Sequence, residues 1–387
     1  MIRVGFPPIG GNAWQGGRNY LWNLLHAVSL VETPRIQPVL MCRAGEADDL
    51  ALPGVERYER SGPWASARMV RAGSLGRYLL GRDIVEEHWL QRAHIDILSH
   101  GGPLGRSRVP FIFWVPDLQH RHFPEFFGRF EGKLRDSIYR SALRDAALVI
   151  TSSAAARDDL VRFYRADPAG IRVLHFVSSP RVELARLPSR ELLTQTFALP
   201  PRYFHLPNQF WKHKNHALVL DALALAPEVV VLATGSKEDY RNPDFYDELM
   251  ARVRAMGLSE RFRHLGMVSY DQMIALMRHS VAVINPSLFE GWSSTVEEAK
   301  TLGKRILASD LAVHREQAPA RGRFFPTNDP AALAALLIEA WNSADEAEEQ
   351  RAGNEAARSL PERMRAFGTY YQEIVLEAHG LAHVTVE

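Results

Sequence analysis

Short β-branched apolar runs alternate with longer stretches carrying apolar residues at helical spacing, and the chain passes through this alternation twice. In the first pass "IRVGF" (2–6), "QPVLMC" (37–42), "IDILSH" (95–100), "FIFWV" (111–115), "ALVITSS" (147–153) and "IRVLHF" (171–176) read as strands. Helical spacing falls at 18–31, 132–147 and 155–164. After a Pro- and Leu-containing stretch around 178–201 the pattern restarts. "YFHLPN", "EVVVLATG", "FRHLG", "VAVINPS", "RILASD" and "RFFPT" alternate with helices over 215–226, 244–257, 269–280, 295–302 and 330–344. Strands linked through helices return parallel, so the fold class is α/β with two doubly wound domains, placed at 1–190 and 191–360. Ligands of such sheets bind outside the carboxyl ends of the strands, which in a two-domain chain is the cleft that the domains face.

A chain of 387 residues with 46% hydrophobic content fits two domains of ordinary size. The 46 Lys and Arg against 45 Asp and Glu leave no basic excess for a nucleic acid. Cys42 is the single cysteine, so no internal disulfide is possible, which fits a reducing compartment. The opening "MIRVGFPPIGG" has no signal-peptide apolar region, and no apolar run approaches the ~18 residues of a membrane span. The expectation is a soluble cytoplasmic protein, with peripheral contact at the inner membrane surface left open. Residues 43–92 are the least regular and hold Arg57, Arg60, Arg68, Arg71, Arg77 and Arg82 near Trp64 and Tyr78. They read as a solvated insertion; the alternative is a basic patch for an anionic acceptor or membrane surface.

The most informative stretch is "VAVINPSLFEGWSSTVEEAKTLGKRILASD", from Val281. A buried strand hands over to a helix that Gly303 stops, and the loop between them lies at the strand's carboxyl end and the helix's amino end. Free N–H groups and the positive end of the helix dipole suit a phosphate there, with Gly291 allowing close approach and Ser293, Ser294 and Thr295 offering hydroxyls. The flanking acids, Glu290 and Glu298, accept hydrogen bonds, so their partners are hydroxyls of a sugar or ribose. That combination describes a nucleotide-sugar site. A capping box is the competing reading: Ser294 with Glu297, leaving Glu298 free, or Thr295 with Glu298, which then only holds the helix end.

The stretch resembles the signature of the retaining glycosyltransferase family four, the group one glycosyltransferases. Pro286, Ser287, Glu290, Gly291, Trp292, Glu298, Ala299, Gly303, Ser309 and Asp310 carry the match. The resemblance implies the GT-B fold, two Rossmann-like domains facing a cleft. It also implies that Glu290 contacts the donor sugar, Glu298 the ribose, and the backbone of Trp292 to Thr295 the diphosphate. Ser293 and Thr295 stand where the family often has Gly and Pro.

Other stretches join this reading. In "LPNQFWKHKNHALVLDAL" Lys212 and Lys214 precede a helix, where a cation can meet a diphosphate; two surface lysines are the plainer reading. Lys214 matches a family lysine, while the family's arginine is Gln209 here. Gly16 and Gly17 stand before the first helix, as in the family's first glycine loop, or form a plain turn. Met267 and Val268 match the segment that cradles the base. After "FIFWV" the family's His-Asp pair reads Pro116-Asp117; Asp117 is retained, and His120 is the nearest substitute for the histidine, or an ordinary surface residue. Residues 361–387 resemble the family's C-terminal helix crossing back to the first domain.

The function so implied is transfer of a hexose-type sugar from a UDP- or GDP-linked donor to a glycan or lipid-linked acceptor, as in polysaccharide biosynthesis. The enzyme would be a retaining hexosyltransferase with no metal ion and no cofactor beyond its nucleotide-sugar co-substrate. The alternatives are a sugar-nucleotide epimerase or hydrolase on the same fold, or a non-catalytic nucleotide-binding protein. "GFPPIGGNAWQGG" lacks the compact turn of an NAD site.

Overall fold

The computed structural model describes residues 1–9, 15–43, 45–181 and 183–384. It divides into two compact units, 1–177 with 362–387, and 178–361. The first runs β1 (Ile2–Phe6), α1 (Gln15–Ser29), β2 (Ile36–Arg43), β3 (Glu56–Arg60), α2 (Ala67–Leu80), α3 (Ile84–Arg92), β4 (Ile97–Ser99), β5 (Phe111–Val115), α4 (Gln119–His122), α5 (Arg129–Asp145), β6 (Leu148–Thr151), α6 (Ala154–Tyr164) and β7 (Ile171–Val173). The seven strands form one parallel sheet in the order β3-β2-β1-β4-β5-β6-β7. Strands β4 to β6 are buried throughout, as a sheet covered on both faces requires. Val85, Trp89 and Leu90 of α3, Tyr139 and Ala142 of α5 and Leu160 of α6 share one core cluster on it.

The second unit runs α7 (Arg190–Phe197), β8 (Phe204–Leu206), α8 (His216–Leu225), β9 (Val231–Ala233), α9 (Phe245–Ala255), β10 (Phe262–His264), α10 (Tyr270–His279), β11 (Val283–Asn285), α11 (Ser294–Thr301), β12 (Ile306–Ser309), α12 (Ala312–Gln317), β13 (Gly322–Phe325) and α13 (Pro330–Asn342). Its sheet is parallel, in the order β10-β9-β8-β11-β12-β13. The order reverses between β8 and β11, so the chain leaves these neighbours in opposite directions and opens a crevice at their carboxyl ends. A final helix, α14 (Glu346–Val384), begins in this unit and ends in the first, where Gln372 bonds the Arg35 amide at 2.7 Å and Tyr371 the Ser99 hydroxyl at 2.8 Å. No helix among the described residues is long and apolar enough to cross a membrane.

Every strand and helix expected from the alternation forms. The expectation for residues 43–92 needs correction: they are integral to the first sheet and its helical layer. Strand β3 escaped notice because "ERYER" is a charged, half-exposed edge, the composition that protects a sheet edge from further pairing. On α2 the described inward positions include Gly73 and Gly76, which have no side chain to register in an apolar stripe. Helices α7 and α12 were also unanticipated. Pro361 made the last helix appear to start there, whereas α14 runs through it.

Candidate active site

The loops after β8 and β11 flank the crevice of the second sheet, and three chain contacts tie them. The Leu288 amide donates to the His213 carbonyl at 2.8 Å. Asn208 Nδ2 donates to Asn285 Oδ1 at 3.4 Å, and Thr295 Oγ1 reaches Asn208 Oδ1 at 3.5 Å. The loop after β9 joins them through Gly235, whose φ of +142° and close approach exclude a side chain: a Cβ would lie 2.6 Å from the Asn208 carbonyl oxygen. The Gly235 amide donates to the Gly266 carbonyl beyond β10 at 3.1 Å. Four strand ends are therefore held as one surface, with Met267 beside it 63% exposed and Val268 half-buried.

Lys214 and Glu290 meet in this crevice. Lys214 ends a short 3-10 turn, and its Nζ lies 2.6 Å from Glu290 Oε1. Ser287 Oγ donates to the same oxygen at 2.7 Å. Oε1 is thus taken, while Oε2 has no partner among the described residues and can accept from a ligand hydroxyl. Burial would push the Glu290 carboxyl up. The Lys214 ammonium, His314 and the hydrogen bonds from Lys214 and Ser287 outweigh it and hold the carboxyl down at about 2. Glu290 is therefore a fixed anion. His213, buried beside the pair, is pushed down to about 3 by its burial and then by Lys214, and is neutral. Lys212, in the same turn, is exposed.

Helix α11 starts one residue earlier than the Ser294 capping box requires and two earlier than the Thr295 box. Ser293 is its N-cap, accepting from the Val296 amide at 3.3 Å, and Asn285 Nδ2 donates to the same hydroxyl at 2.7 Å. Glu297 does no capping; it takes Lys300 Nζ at 2.9 Å and Gln317 Nε2 at 3.1 Å. Gln317 also clamps the Ser293 backbone, accepting from its amide at 3.2 Å and donating to its carbonyl at 2.9 Å. The Ser293 and Val296 amides are thus spent inside the protein. The amides of Ser294 and Thr295 have no partner among the described residues, leaving two donors at a helix amino end. The diphosphate expectation for residues 292–295 narrows accordingly to these two on the backbone side. Gly291 and Trp292 are half-buried before them.

Glu298 is free of capping and has the opposite environment to Glu290. It is 5% exposed with no cation paired to it among the described residues; burial pushes its carboxyl up to about 8, only partly offset by the Tyr270 hydroxyl that donates to it. Near neutral pH it is largely protonated. Sequence reasoning missed His314, Gln317, Asn208, Asn285 and Tyr270. His314 and Gln317 lie on α12, six residues too short for a periodic signal. The His314 Nδ1 proton goes to the Ser309 carbonyl at 2.8 Å, leaving Nε2 toward Asn285 at 3.4 Å.

In the first unit, His120 is not the surface residue that one reading allowed. Its side chain is 1% exposed, and Nε2 is engaged by Asp136 Oδ1 at 3.1 Å and Tyr164 Oη at 3.0 Å. Asp117 accepts the Gln119 amide at 3.0 Å on its side chain and the Tyr139 hydroxyl on its carbonyl at 3.1 Å. Both residues are taken up by the loop after β5. Gly16 and Gly17 lie in the first turn of α1 and not before it, and residues 10–14 of the glycine-rich loop lie outside the described residues.

Residues 195–359 match the family model of the glycosyl transferases group 1. That match falls within the second unit. Solved structures match over both units. HepE of Anabaena, crystallised with UDP and glucose, is 17% identical over 100% of both chains with a TM-score of 0.64. Sucrose-phosphate synthase of Thermosynechococcus elongatus is 15% identical over 97% of this chain and 99% of its own, at 0.69. A glycosyltransferase of Rickettsia africae is 14% identical over 98% of each chain, at 0.64. No curated protein matches the sequence. At these identities the likeness concerns the fold: the chain has the GT-B fold, two Rossmann-like units each built on a parallel sheet.

Proposed function

We propose that this chain is a group 1 glycosyltransferase, a retaining hexosyltransferase that takes its sugar from a UDP- or GDP-linked donor. The observation that carries the reading is the joint placement of the ionised Glu290–Lys214 pair and the free Ser294 and Thr295 amides at the crevice between β8 and β11. The amides would receive the diphosphate and stabilise the charge that grows on it as the glycosidic bond breaks. Two Lys214 protons remain for the same charge once Glu290 has taken one. Glu290 Oε2 would accept a sugar hydroxyl and orient the ring. Glu298 would face the ribose diol, and Met267 and Val268 the base. Uridine is the first base to test, because HepE was crystallised with UDP and with UDP-glucose.

No resident cofactor or metal enters this reading, and the acceptor is a glycan or lipid-linked glycan. The acceptor hydroxyl would attack on the face that the diphosphate leaves. The test is a thermal-shift panel with UDP, GDP, ADP, dTDP and NAD, followed by transfer from the matching sugar nucleotide in chelator. A ligand at a hundred times its Kd stabilises by about 2.7 kcal/mol, which such a panel resolves. Stabilisation by one nucleoside diphosphate, and a product whose anomeric proton coupling keeps the donor's configuration, is the expected result. No response to any nucleoside diphosphate refutes the donor site; an inverted product refutes retention.

A further inference from the structure

The ionised pair at the crevice brings no net charge. Lys214 is bonded to Glu290, whose carboxyl stays ionised, so the two cancel. Glu298 largely keeps its proton near neutral pH, and His213 is neutral. The Ser294 and Thr295 amides bring the dipole of a helix end, not a full charge. A nucleoside diphosphate carries several negative charges, and more charge gathers on it as a glycosidic bond breaks. A site that stabilises this group calls for a further fixed cation.

The loop after β9 supplies one. Arg241 lies in it half-buried, its guanidinium carbon 5.5 Å from the centre of the Trp211 ring and 5.1 Å from that of Tyr240. Trp211 opens the 3-10 turn that carries Lys214, and its ring lies 5.6 Å from that of His213. Arg241 thus stands across Trp211 from His213, on the β8 side of the crevice, and its charge adds to the burial that keeps His213 neutral.

The loop is built to hold that position. The Phe210 amide donates to the Ser236 carbonyl at 2.9 Å, and Trp211 Nε1 to the Glu238 carbonyl at 3.2 Å. Asp239, 6% exposed, accepts the Arg241 amide at 3.0 Å and Asn242 Nδ2 at 3.1 Å, so both of its oxygens serve the turn. An aromatic face suits a guanidinium, whose planar fork matches paired phosphate oxygens. Lys212 in the neighbouring turn is exposed, and a lysine is a point charge on a flexible stem.

We propose that Arg241 is a ligand of the donor's diphosphate and supplies the net positive charge that the leaving group needs. The role rests on the donor-site reading above. The test is calorimetry on the full chain with UDP and GDP and with the monophosphate of whichever binds, in the wild type, Arg241→Gln and Lys212→Gln. Arg241→Gln is expected to weaken the diphosphate at least ten-fold and the monophosphate less than about three-fold, while Lys212→Gln changes both less than about three-fold. The ratio of the two affinities cancels any loss of folded protein, so a destabilised variant is read in the same way. A wild type that binds neither diphosphate refutes the donor site and this role together. A wild type that binds, with its ratio unchanged in Arg241→Gln, refutes the role alone. A ratio lost in Lys212→Gln and kept in Arg241→Gln assigns the charge to Lys212 and overturns the proposal too.

Discussion

Glu298→Gln should stabilise the protein, and the gain should grow with pH. The carboxyl titrates near 8 in the folded chain against 4.5 ordinarily. Between those values the folded chain holds a proton that the unfolded chain has lost. Stability therefore falls as pH rises through that window and levels off above about 8. At pH 7 the loss is about 3 kcal/mol, and by pH 9 about 5 kcal/mol, from 1.36 kcal/mol per pH unit. Glutamine keeps the shape and removes the titration. In a unit of this size 1 kcal/mol moves the midpoint by about 2–4 °C, so the variant should gain roughly 7–14 °C at pH 7. Thermal unfolding of both proteins at half-unit intervals from pH 4 to 9 measures it. The two curves should lie together near pH 4 and separate above pH 5. A constant offset across the range would refute the claim that Glu298 is buried without a compensating cation. Under the proposed function the same variant should bind nucleoside diphosphate more weakly, so stability and affinity should move in opposite directions.

Lys214→Ala should cost about 3 kcal/mol in urea unfolding, because it leaves the Glu290 anion nearly buried and unpaired, and should weaken diphosphate binding by calorimetry at least ten-fold. Glu290→Gln should keep diphosphate affinity within a few-fold and lower kcat at least a hundred-fold, since Glu290 is assigned to the sugar; equal loss in Kd and kcat/KM would contradict that division. Gln317→Ala should free the Ser293 backbone and the Glu297 carboxyl, lowering stability by roughly 2 kcal/mol and weakening diphosphate binding although Gln317 is not assigned a ligand contact. Gly303→Ala should cost more than about 2 kcal/mol, because φ is +62° and the new Cβ would sit 2.2 Å from the Ala352 carbonyl oxygen.

The alternation revealed the sheets because buried parallel strands are apolar on both faces and have no other place to go. It failed where burial was slight, at β3, or where glycines interrupt the spacing, at Gly73 and Gly76 of α2. The strand-to-helix loop was legible because Gly291, the hydroxyls and the two acids stand close together in sequence. Its cap was not, since Ser293, Ser294 and Thr295 are all competent N-caps. What selects Ser293 is Gln317, more than twenty residues away, which holds its backbone on both sides. His120 shows the opposite error: a polar residue in a loop read as accessible, but Asp136 and Tyr164 arrive from α5 and α6 to bury it.

The same distant partners explain why two acids of one short segment behave so differently. Glu290 stands at a strand tip, where the β8 loop delivers Lys214 and α12 delivers His314, so the field keeps it charged. Glu298 stands one turn into α11, buried, with the Tyr270 hydroxyl as its partner among the described residues, so the same burial keeps its proton on. Such divergence separates what each can do. A carboxylate locked ionised accepts a hydroxyl without changing its charge and holds it through a reaction at any ordinary pH. A carboxyl balanced near 8 can donate to one ligand oxygen while accepting from a second, and loses its proton when two hydroxyls both donate to it. Binding of a vicinal diol at Glu298 should therefore release a proton near neutral pH, and binding at Glu290 should not. Calorimetry of nucleoside diphosphate binding in buffers of different ionisation enthalpy reads this directly. Proton release present in the wild type and abolished in Glu298→Gln is the expected outcome, and release that survives the substitution places the diol elsewhere.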